Sequence, residues 1–385
     1  MKLSGKEGNF NEVKLKILEL EKVDYLKELN KQLDEKKIIQ RNWAIKDIQS
    51  ILDKKKEVII YGGPGVGKTV IMNELVIDKD AVYISVKSKS IERVIRYLVN
   101  SFGLPYDCNG EDIIDLFEGF LQSSSKHFLI DDCESNPEII TTLLTIEKSN
   151  NKFIYASRNK NILGDFQIED YGISTFDDGE IQEFLKINEV KVDDFVLTDL
   201  TVASQGNPLY LYYFTKHQIK PLPKGLVDYQ SAIWRLPSVD HKEILSCVAI
   251  SPFPITLNTL RDSYKLITNK ECSPMAFLEM LSEINYLLKK KDLTYEIFHL
   301  SFKEFLLDVI TVEGIADLYV REIGNTCFKN DEMVCATVLL VDVKDKKIKP
   351  YLFESAHILY HCGYIDFLKS YYMLLLSSTI YMMMW

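Results

Sequence analysis

The sequence has few of the features that mark secreted or metal-bound proteins. Its seven cysteines are scattered, with no C-x-x-C pair and no spacing typical of a metal-binding finger. No apolar stretch typical of a signal peptide follows Met1. An odd, unpatterned set of cysteines fits a reducing compartment, and together with the missing signal peptide it predicts a cytoplasmic protein.

Long hydrophobic runs and an excess of positive charge are also missing. The uncharged segment 370–385 has sixteen residues, fewer than the roughly 20 that a membrane-spanning helix needs. We expect it to form an apolar helix that packs on a neighbour, and we expect no membrane partner. The formal net charge is −10, so nucleic-acid binding is not expected unless one face is locally basic.

The composition and pattern indicate a folded chain of several domains. A length of 385 residues with 46% hydrophobic side chains suggests about two to four domains. Apolar runs typical of buried strands alternate with helix-like stretches between residues 57 and 176, which predicts a parallel α/β sheet. The predicted strands are 57–61, 81–85, 127–130, 152–156 and, more weakly, 172–176.

Helical patterns dominate the remainder of the chain. Three helices followed by two short apolar segments, near 286–288 and 295–299, favour a winged helix. We therefore predict an α/β P-loop NTPase domain of the additional-strand type, a small helical domain, a winged-helix domain and C-terminal α-helices that have room for the start of a repeat array. The predicted boundaries are an N-terminal helical segment at 1–40, the P-loop domain at 41–176, the small helical domain at 177–236, the winged helix at 237–312 and the C-terminal segment at 313–385.

A glycine-rich turn follows the first predicted strand. Gly62, Gly67, Lys68 and Thr69 fit the pattern G-x-x-x-x-G-K-[ST] between a strand and a helix. Glycine permits backbone angles that let successive N–H groups point at a phosphate, and the helix N-terminus adds positive charge. Lys68 is expected to reach the β and γ phosphates, and the Thr69 hydroxyl to hold Mg²⁺. The predicted nucleotide-binding residues here are Gly62, Gly63, Pro64, Gly65, Val66, Gly67, Lys68, Thr69 and Val70.

Charged residues follow the third and fourth predicted strands. Asp131 is expected to bind Mg²⁺, and Asp132 to orient or activate the attacking water, with Glu134 as the alternative for that second role. Arg158 follows the next strand, where a cation can reach a γ-phosphate and distinguish ATP from ADP. The predicted catalytic residues of an ATPase are therefore Lys68, Asp131, Asp132 and Arg158.

The order of these motifs, followed by Gly206-Asn207-Pro208-Leu209, resembles the STAND class of signal-transduction ATPases. That class includes the NB-ARC and NACHT proteins and bacterial antiphage ATPases, and the resemblance covers about residues 38–310. It implies ATP, ADP and Mg²⁺ as ligands, slow hydrolysis, an ADP-bound resting state and an ATP-bound state that forms a homo-oligomer. It also implies a protein trigger or effector partner and, for the antiphage members, a role in antiviral defence.

The same resemblance implies roles for three residues outside the glycine turn. Arg41 matches a short element that lines the adenine pocket, although the family's glycine is replaced by Gln40. Pro208 matches a proline that sits on the adenine. His299 matches a histidine that contacts the β-phosphate of ADP, although Leu300 stands where plant-type members have aspartate.

Two other functions share some of these features. A DNA-associated ATPase of the initiator or archaeal type also joins a P-loop domain to a winged helix, and the basic cluster Lys289, Lys290 and Lys291 favours it. The acidic net charge opposes it. A small-molecule kinase would need an arginine-rich lid, which the sequence lacks.

One histidine pair remains outside these motifs. His357 and His361 lie four residues apart and precede Cys362, but no glutamate occupies the metalloprotease position. Helix packing is therefore favoured over metal binding for this pair.

Overall fold

The computed structural model describes residues 38–75, 80–87, 91–100, 113–163, 168–291, 293–330, 335, 336 and 339. The described residues form two compact units: the first extends to Thr201 and includes Gln205–Leu211, and the second contains Val202–Ser204 and continues from residue 212. Segment 370–385, His357 and His361 lie outside the described residues. None of the described helices is long and apolar enough to cross a membrane. The domain boundaries remain predictions.

A five-stranded parallel sheet forms the centre of the first unit. Its strand order is β2-β3-β4-β1-β5, so β4 lies between the strand before the glycine turn and the strand before the acidic pair. This is the arrangement expected for the additional-strand type. The strands are β1 (Glu57–Tyr61), β2 (Ala81–Ser85), β3 (His127–Asp131), β4 (Lys152–Ser157) and β5 (Asp170–Gly172).

Helices cover both faces of this sheet, which explains the apolar runs of β1 to β4. Ile59 and Phe128 belong to one buried cluster, whereas Val58 and Leu129 belong to the other. The helices of this unit are α1 (Asn42–Lys55), α2 (Lys68–Leu75), α3 (Ile91–Asn100), α4 (Ile113–Gln122), α5 (Pro137–Thr145) and α6 (Asp178–Ile187). The helices α7 (Asp194–Ser204) and α8 (Pro208–Lys216) begin in the first unit and end in the second.

The predicted α/β P-loop NTPase fold is confirmed, but the position predicted for the fifth strand is wrong. β5 shares only Gly172 with the predicted segment 172–176. Its neighbour β1 ends at Tyr61, whose carbonyl accepts the last ladder bond, from the Ile173 N–H. Beyond that point the backbone finds other partners: the Ser174 carbonyl accepts from Arg41, and the Phe176 N–H donates to Gly206.

The second unit is mainly helical and contains a small antiparallel sheet of order β6-β8-β7. The helices and the hairpin follow one another in the order expected for a winged helix, and that assignment remains a prediction. The elements are α9 (Gly225–Arg235), α10 (Val239–Ile250), β6 (Ile255–Thr256), α11 (Leu257–Thr268), α12 (Pro274–Glu283), β7 (Leu288–Lys291), β8 (Thr294–Ile297), α13 (Leu300–Val312) and α14 (Ala316–Lys329).

Candidate nucleotide-binding site

The turn between β1 and α2 has a shape that glycine makes possible. Gly65 and Gly67 have φ angles of +76° and +96°, which residues with a Cβ rarely adopt. A Cβ at Gly65 would lie only 2.6 Å from the Cβ of Leu209. Because α2 begins at Lys68, its N-terminal N–H groups and the positive end of its dipole lie at this turn, as an anion site requires.

Lys68 lies over the same turn. Its Nζ donates to the carbonyl oxygens of Gly62 at 2.7 Å and Gly63 at 3.2 Å. Burial lowers the pKa of the Lys68 ammonium, and the charges of Asp131 and Glu134 oppose the shift. A partly desolvated ammonium is a strong donor to phosphate oxygens, so the position suits the predicted role.

Asp131 lies at the carboxyl end of β3 and is hydrogen-bonded through both carboxylate oxygens. Oδ2 accepts from Thr69 Oγ1 at 2.8 Å and from the Tyr83 hydroxyl at 3.0 Å, and Oδ1 accepts from the Asp132 N–H at 2.8 Å. The side chain is only 5% exposed. Burial, followed by the charge of Asp132, raises the pKa of Asp131 to about 6. A buried carboxyl group of this kind is typical of a functional site.

The oxygens of Thr69 and Asp131 fit the Mg²⁺ that the sequence predicts. Mg²⁺ binds oxygen ligands, usually through one or two carboxylates together with waters and substrate phosphates. No group of three or more His, Cys, Asp or Glu side chains suited to a metal ion occurs in the described part of the chain. Thr69 and Asp131 would hold Mg²⁺ together with a nucleotide, because their oxygens are the ligand type this ion prefers, and the ion would neutralise phosphate charge.

Two further carboxylates follow Asp131. Asp132 has a left-handed backbone, with φ at +58°, and its Oδ2 accepts from Ser85 Oγ at 2.6 Å. Glu134 binds Arg158 twice: its Oε1 is 3.0 Å from Arg158 Nε, and its Oε2 accepts from the Arg158 N–H at 3.1 Å. Both carboxylates lie near the end of β3, where each is a candidate for the group that orients the attacking water.

Sequence reasoning missed the hydroxyl groups of Tyr83 and Ser85, which bind the acidic pair. Both belong to β2, whose parallel register places Ser85 opposite Asp131. Residues two apart on a strand share one face of the sheet, so the polar atoms of Tyr83 and Ser85 were a signal in the sequence. That signal becomes informative only when β2 is known to lie beside β3.

Arg41 is buried in a dense set of contacts. Its Nε and Nη2 each donate to a carboxylate oxygen of Glu180 at 2.9 Å, and its Nη1 donates to the Ser174 carbonyl at 2.7 Å. The guanidinium carbon lies 4.7 Å from the centre of the Phe176 ring. Glu180 also completes a capping box with Asp177 at the start of α6. These contacts give Arg41 a structural role, and its contact with adenine remains a prediction.

Pro208 is the first residue of α8, a position that suits proline because its missing N–H needs no partner there. The preceding Asn207 caps the helix by accepting from the N–H groups of Leu209 and Tyr210 at 3.0 and 3.1 Å. Asn207 also donates to the Pro64 carbonyl at 2.9 Å. Pro208 is thus next to a residue that contacts the glycine turn, and its contact with adenine remains a prediction.

His299 belongs to the second unit, where it caps α13. Its Nδ1 accepts from the Ser301 N–H at 3.1 Å and lies 2.9 Å from Ser301 Oγ. The predicted contact between His299 and the β-phosphate of ADP remains a prediction.

The fold is shared with a STAND protein from Pyrococcus horikoshii that carries a tetratricopeptide repeat sensor. The two chains are 19% identical, 88% of this chain is covered, and the TM-score is 0.64. The matched region spans 53% of that protein, so this chain corresponds to about half of its length. At this identity the likeness shows the fold alone: the chain has the fold of a STAND-class P-loop ATPase, as the motifs predicted.

Two other structures are more distant. A Walker-type ATPase of Pyrococcus abyssi is 13% identical over 70% of this chain and 96% of its own, with a TM-score of 0.41. Drosophila ORC bound to AT-rich DNA and Cdc6 is 10% identical over 71% of this chain and 93% of its own, with a TM-score of 0.28. No protein-family model and no curated protein matches the sequence.

Proposed function

We propose that the chain is an ATP-dependent signalling switch of the STAND type. In this proposal an ADP-bound form is the resting state, an ATP-bound form oligomerises, and slow hydrolysis returns the protein to rest. The observation that carries the proposal is the ion pair between Arg158 and Glu134, at the edge of the sheet where the glycine turn and Asp131 also lie.

The strand order supports the proposed role of Arg158, which is to report on a γ-phosphate. Arg158 follows the last residue of β4, which lies between β1 and β3. Its side chain therefore belongs to the same edge of the sheet as Lys68 and Asp131. A guanidinium group binds a carboxylate or a phosphate in similar geometry, so the γ-phosphate of ATP would compete with Glu134 for Arg158.

This competition gives ATP and ADP different effects. ADP has no γ-phosphate and leaves the ion pair intact, whereas ATP recruits Arg158 and releases the Glu134 carboxylate. A ligand shifts a conformational equilibrium only by its difference in affinity for the two states. The γ-phosphate supplies that difference, and oligomerisation is the proposed result.

The same exchange accounts for hydrolysis. Once released, Glu134 can orient a water, and Asp132 is the other candidate for this role. Lys68 and Arg158 would stabilise the charge that develops on the transferred phosphoryl group. Because Glu134 can act only after Arg158 has left it, hydrolysis includes this additional step and turnover is expected to be slow.

Other parts of the proposal rest on composition and resemblance. The five cysteines that the structure describes are thiols rather than disulfides, which fits a cytoplasmic protein. A homo-oligomer in the ATP state, a protein trigger or effector, and a role in antiviral defence follow from the resemblance to antiphage ATPases.

The DNA-associated alternative receives less support. In the hairpin of the second unit, Lys289 Nζ lies 2.8 Å from Glu296 Oε1, which offsets its charge. The Nζ of Lys290 lies 5.9 Å from the centre of the Tyr295 ring, so it too has a local partner. The net charge of −10 also opposes binding of this hairpin to the phosphates of DNA.

The variant Asp131→Asn tests the Mg-nucleotide site. We expect ATP hydrolysis to fall about 100-fold or more, and ATP affinity to lose its dependence on Mg²⁺, because the ion loses its carboxylate ligand. Hydrolysis is measured by single-turnover assays, and affinity by calorimetry with and without Mg²⁺. Wild-type hydrolysis that does not need Mg²⁺, or an unchanged rate in the variant, would count against the proposal.

The same variant should stabilise the nucleotide-free protein. The Asp131 pKa is raised in the fold from 3.8 to about 6, so the unfolded chain loses its proton first as the pH rises. The free energy of unfolding therefore falls as the pH rises from 3.8 to about 6. Above pH 6 the folded protein is less stable by on the order of 1–3 kcal/mol. Asn removes this penalty, so thermal unfolding should shift upwards at pH 7.5 and less at pH 4. Asp115→Asn, at an exposed position of α4, is the matched control.

A further inference from the structure

We propose that Asn207 is a positioning residue for phosphate binding. Its carboxamide joins a carbonyl group of the glycine turn to the first turn of α8, so that the shape of the turn and the position of this helix end depend on one side chain. The inference rests on the proposed function, since it concerns a nucleotide phosphate bound at residues 62–69. It gives Asn207 a role distinct from that predicted for Pro208.

The carboxamide of Asn207 uses its two polar atoms for different elements. The Oδ1 atom accepts from the N–H groups of Leu209 and Tyr210 and caps α8, whereas Nδ2 donates to the Pro64 carbonyl at 2.9 Å. The Leu209 N–H also donates to the Gly65 carbonyl at 3.3 Å. Two consecutive carbonyl groups of the turn are therefore held by the residues that begin α8.

Holding these carbonyl groups orients the N–H groups of the turn. In a planar trans peptide the C=O and the following N–H point in opposite directions. The Pro64 carbonyl points towards Asn207, so the Gly65 N–H points away from it; by the same argument, the Val66 N–H points away from Leu209. Converging N–H groups form an anion site, and fixing them before binding lowers the cost of ordering them when the phosphate arrives.

The backbone just before Asn207 is held in place by contacts within the first unit. Gly206 has a φ of +68°, and a Cβ there would lie 2.1 Å from the Phe176 carbonyl oxygen. The Phe176 N–H donates to the Gly206 carbonyl at 2.8 Å, and the Phe176 ring packs against the guanidinium of Arg41. These contacts place Asn207 independently of its own bond to Pro64.

The hydrogen bond between Asn207 and Pro64 and the binding of phosphate are expected to favour each other. If Asn207 prepares the turn for phosphate, a bound phosphate must in turn favour the arrangement in which Asn207 holds Pro64, because coupling between two equilibria is reciprocal. Nucleotide binding should then protect the first turn of α8. This is a route by which the phosphate site affects residues more than a hundred positions further along the chain.

Two variants separate the bond to Pro64 from the helix cap. Asn207→Ser is neutral and keeps a capping oxygen, but its short side chain cannot cap and also reach the Pro64 carbonyl. Asn207→Asp keeps the size and the cap but loses the donor. We expect the Kd of Mg-ADP, measured by calorimetry, to rise about five-fold or more in both variants, as the loss of one ordinary hydrogen bond predicts.

Hydrogen exchange provides a readout that a simple capping role would not change. In both variants the amides of Gly65, Val66 and Gly67 should exchange faster, whereas those of Leu209 and Tyr210 keep their protection. In wild type, Mg-ADP should slow exchange at Leu209 and Tyr210; in the variants this effect should be lost.

Each other result has a definite meaning. The inference is overturned if either variant, or both, binds Mg-ADP with wild-type affinity. Weaker binding in Asn207→Asp alone would indicate charge repulsion with the phosphate. Weaker binding in Asn207→Ser alone would indicate a weaker helix cap. In those cases wild type still binds Mg-ADP, so the proposed function stands. If wild type binds no Mg-ADP at all, the proposed function fails and this inference fails with it.

Discussion

Replacing Lys68 by alanine is expected to abolish binding of ATP and ADP while the fold is retained. The lysine is the cation of the glycine turn, and its loss removes charge-assisted bonds worth about 3 kcal/mol or more, equivalent to a rise in Kd of at least about 100-fold. The fold should survive because Lys68 donates only to carbonyl groups of the turn itself in its described hydrogen bonds. Its removal also ends the cost of burying an ammonium group, which is visible as its lowered pKa.

Calorimetry with Mg-ADP tests whether Lys68→Ala has lost nucleotide binding, and a thermal unfolding curve tests whether its fold is retained. Lys46→Ala makes the same substitution at an exposed position of α1, and it should leave both the Kd and the unfolding temperature unchanged. If Lys68→Ala still retains nucleotide through purification, or binds it within about ten-fold of wild type, the phosphate-binding assignment of the turn is wrong.

Arg158→Ala should weaken the binding of ATP but not the binding of ADP. We expect ATP affinity to fall about ten-fold or more and hydrolysis about 100- to 1000-fold, as when one preorganised donor to the transition state is removed. ADP affinity should stay close to that of wild type because ADP offers no γ-phosphate to Arg158. The ion pair with Glu134 is partly exposed, with 33% and 21% of the two side chains accessible, so its loss should cost little stability.

Glu134→Gln is the matched control for the arginine. It leaves Arg158 in place but weakens the carboxylate that competes with the γ-phosphate, so ATP affinity should hold or rise. Hydrolysis in this variant also reports on the base: a rate near zero favours Glu134, and a wild-type rate favours Asp132. Equal losses of ATP and ADP affinity in Arg158→Ala would show that the arginine is structural and does not sense the γ-phosphate.

The parts of the fold and site that the sequence predicted depend on short-range patterns. The glycine turn is defined by the spacing of residues within one short segment, 62–69. The first four strands are buried, and burial requires apolar side chains, so each strand is visible in the sequence as an apolar run. The acidic side chain at the end of β3 follows from the same logic, because strand ends in a parallel sheet meet at one edge. Asp131 could therefore be assigned before the strand order was known.

The parts that it did not predict depend on residues far apart in sequence. Asn207 and Pro64 are separated by 143 positions, and Arg41 and Glu180 by 139. The displaced fifth strand has the same cause, since the backbone groups of Ser174 and Phe176 bind Arg41 and Gly206 instead of extending the ladder. No local pattern reveals such partners, because either residue alone is typical of a loop or a helix cap.

In the proposed switch, the γ-phosphate of ATP changes the assembly state of the protein. The most direct test is to measure the mass of the native protein with Mg-ADP and then with a non-hydrolysable ATP analogue. The switch predicts one mass with ADP and a larger, discrete oligomer with the analogue. An unchanged mass with both nucleotides, under conditions where calorimetry shows that both are bound, would contradict it.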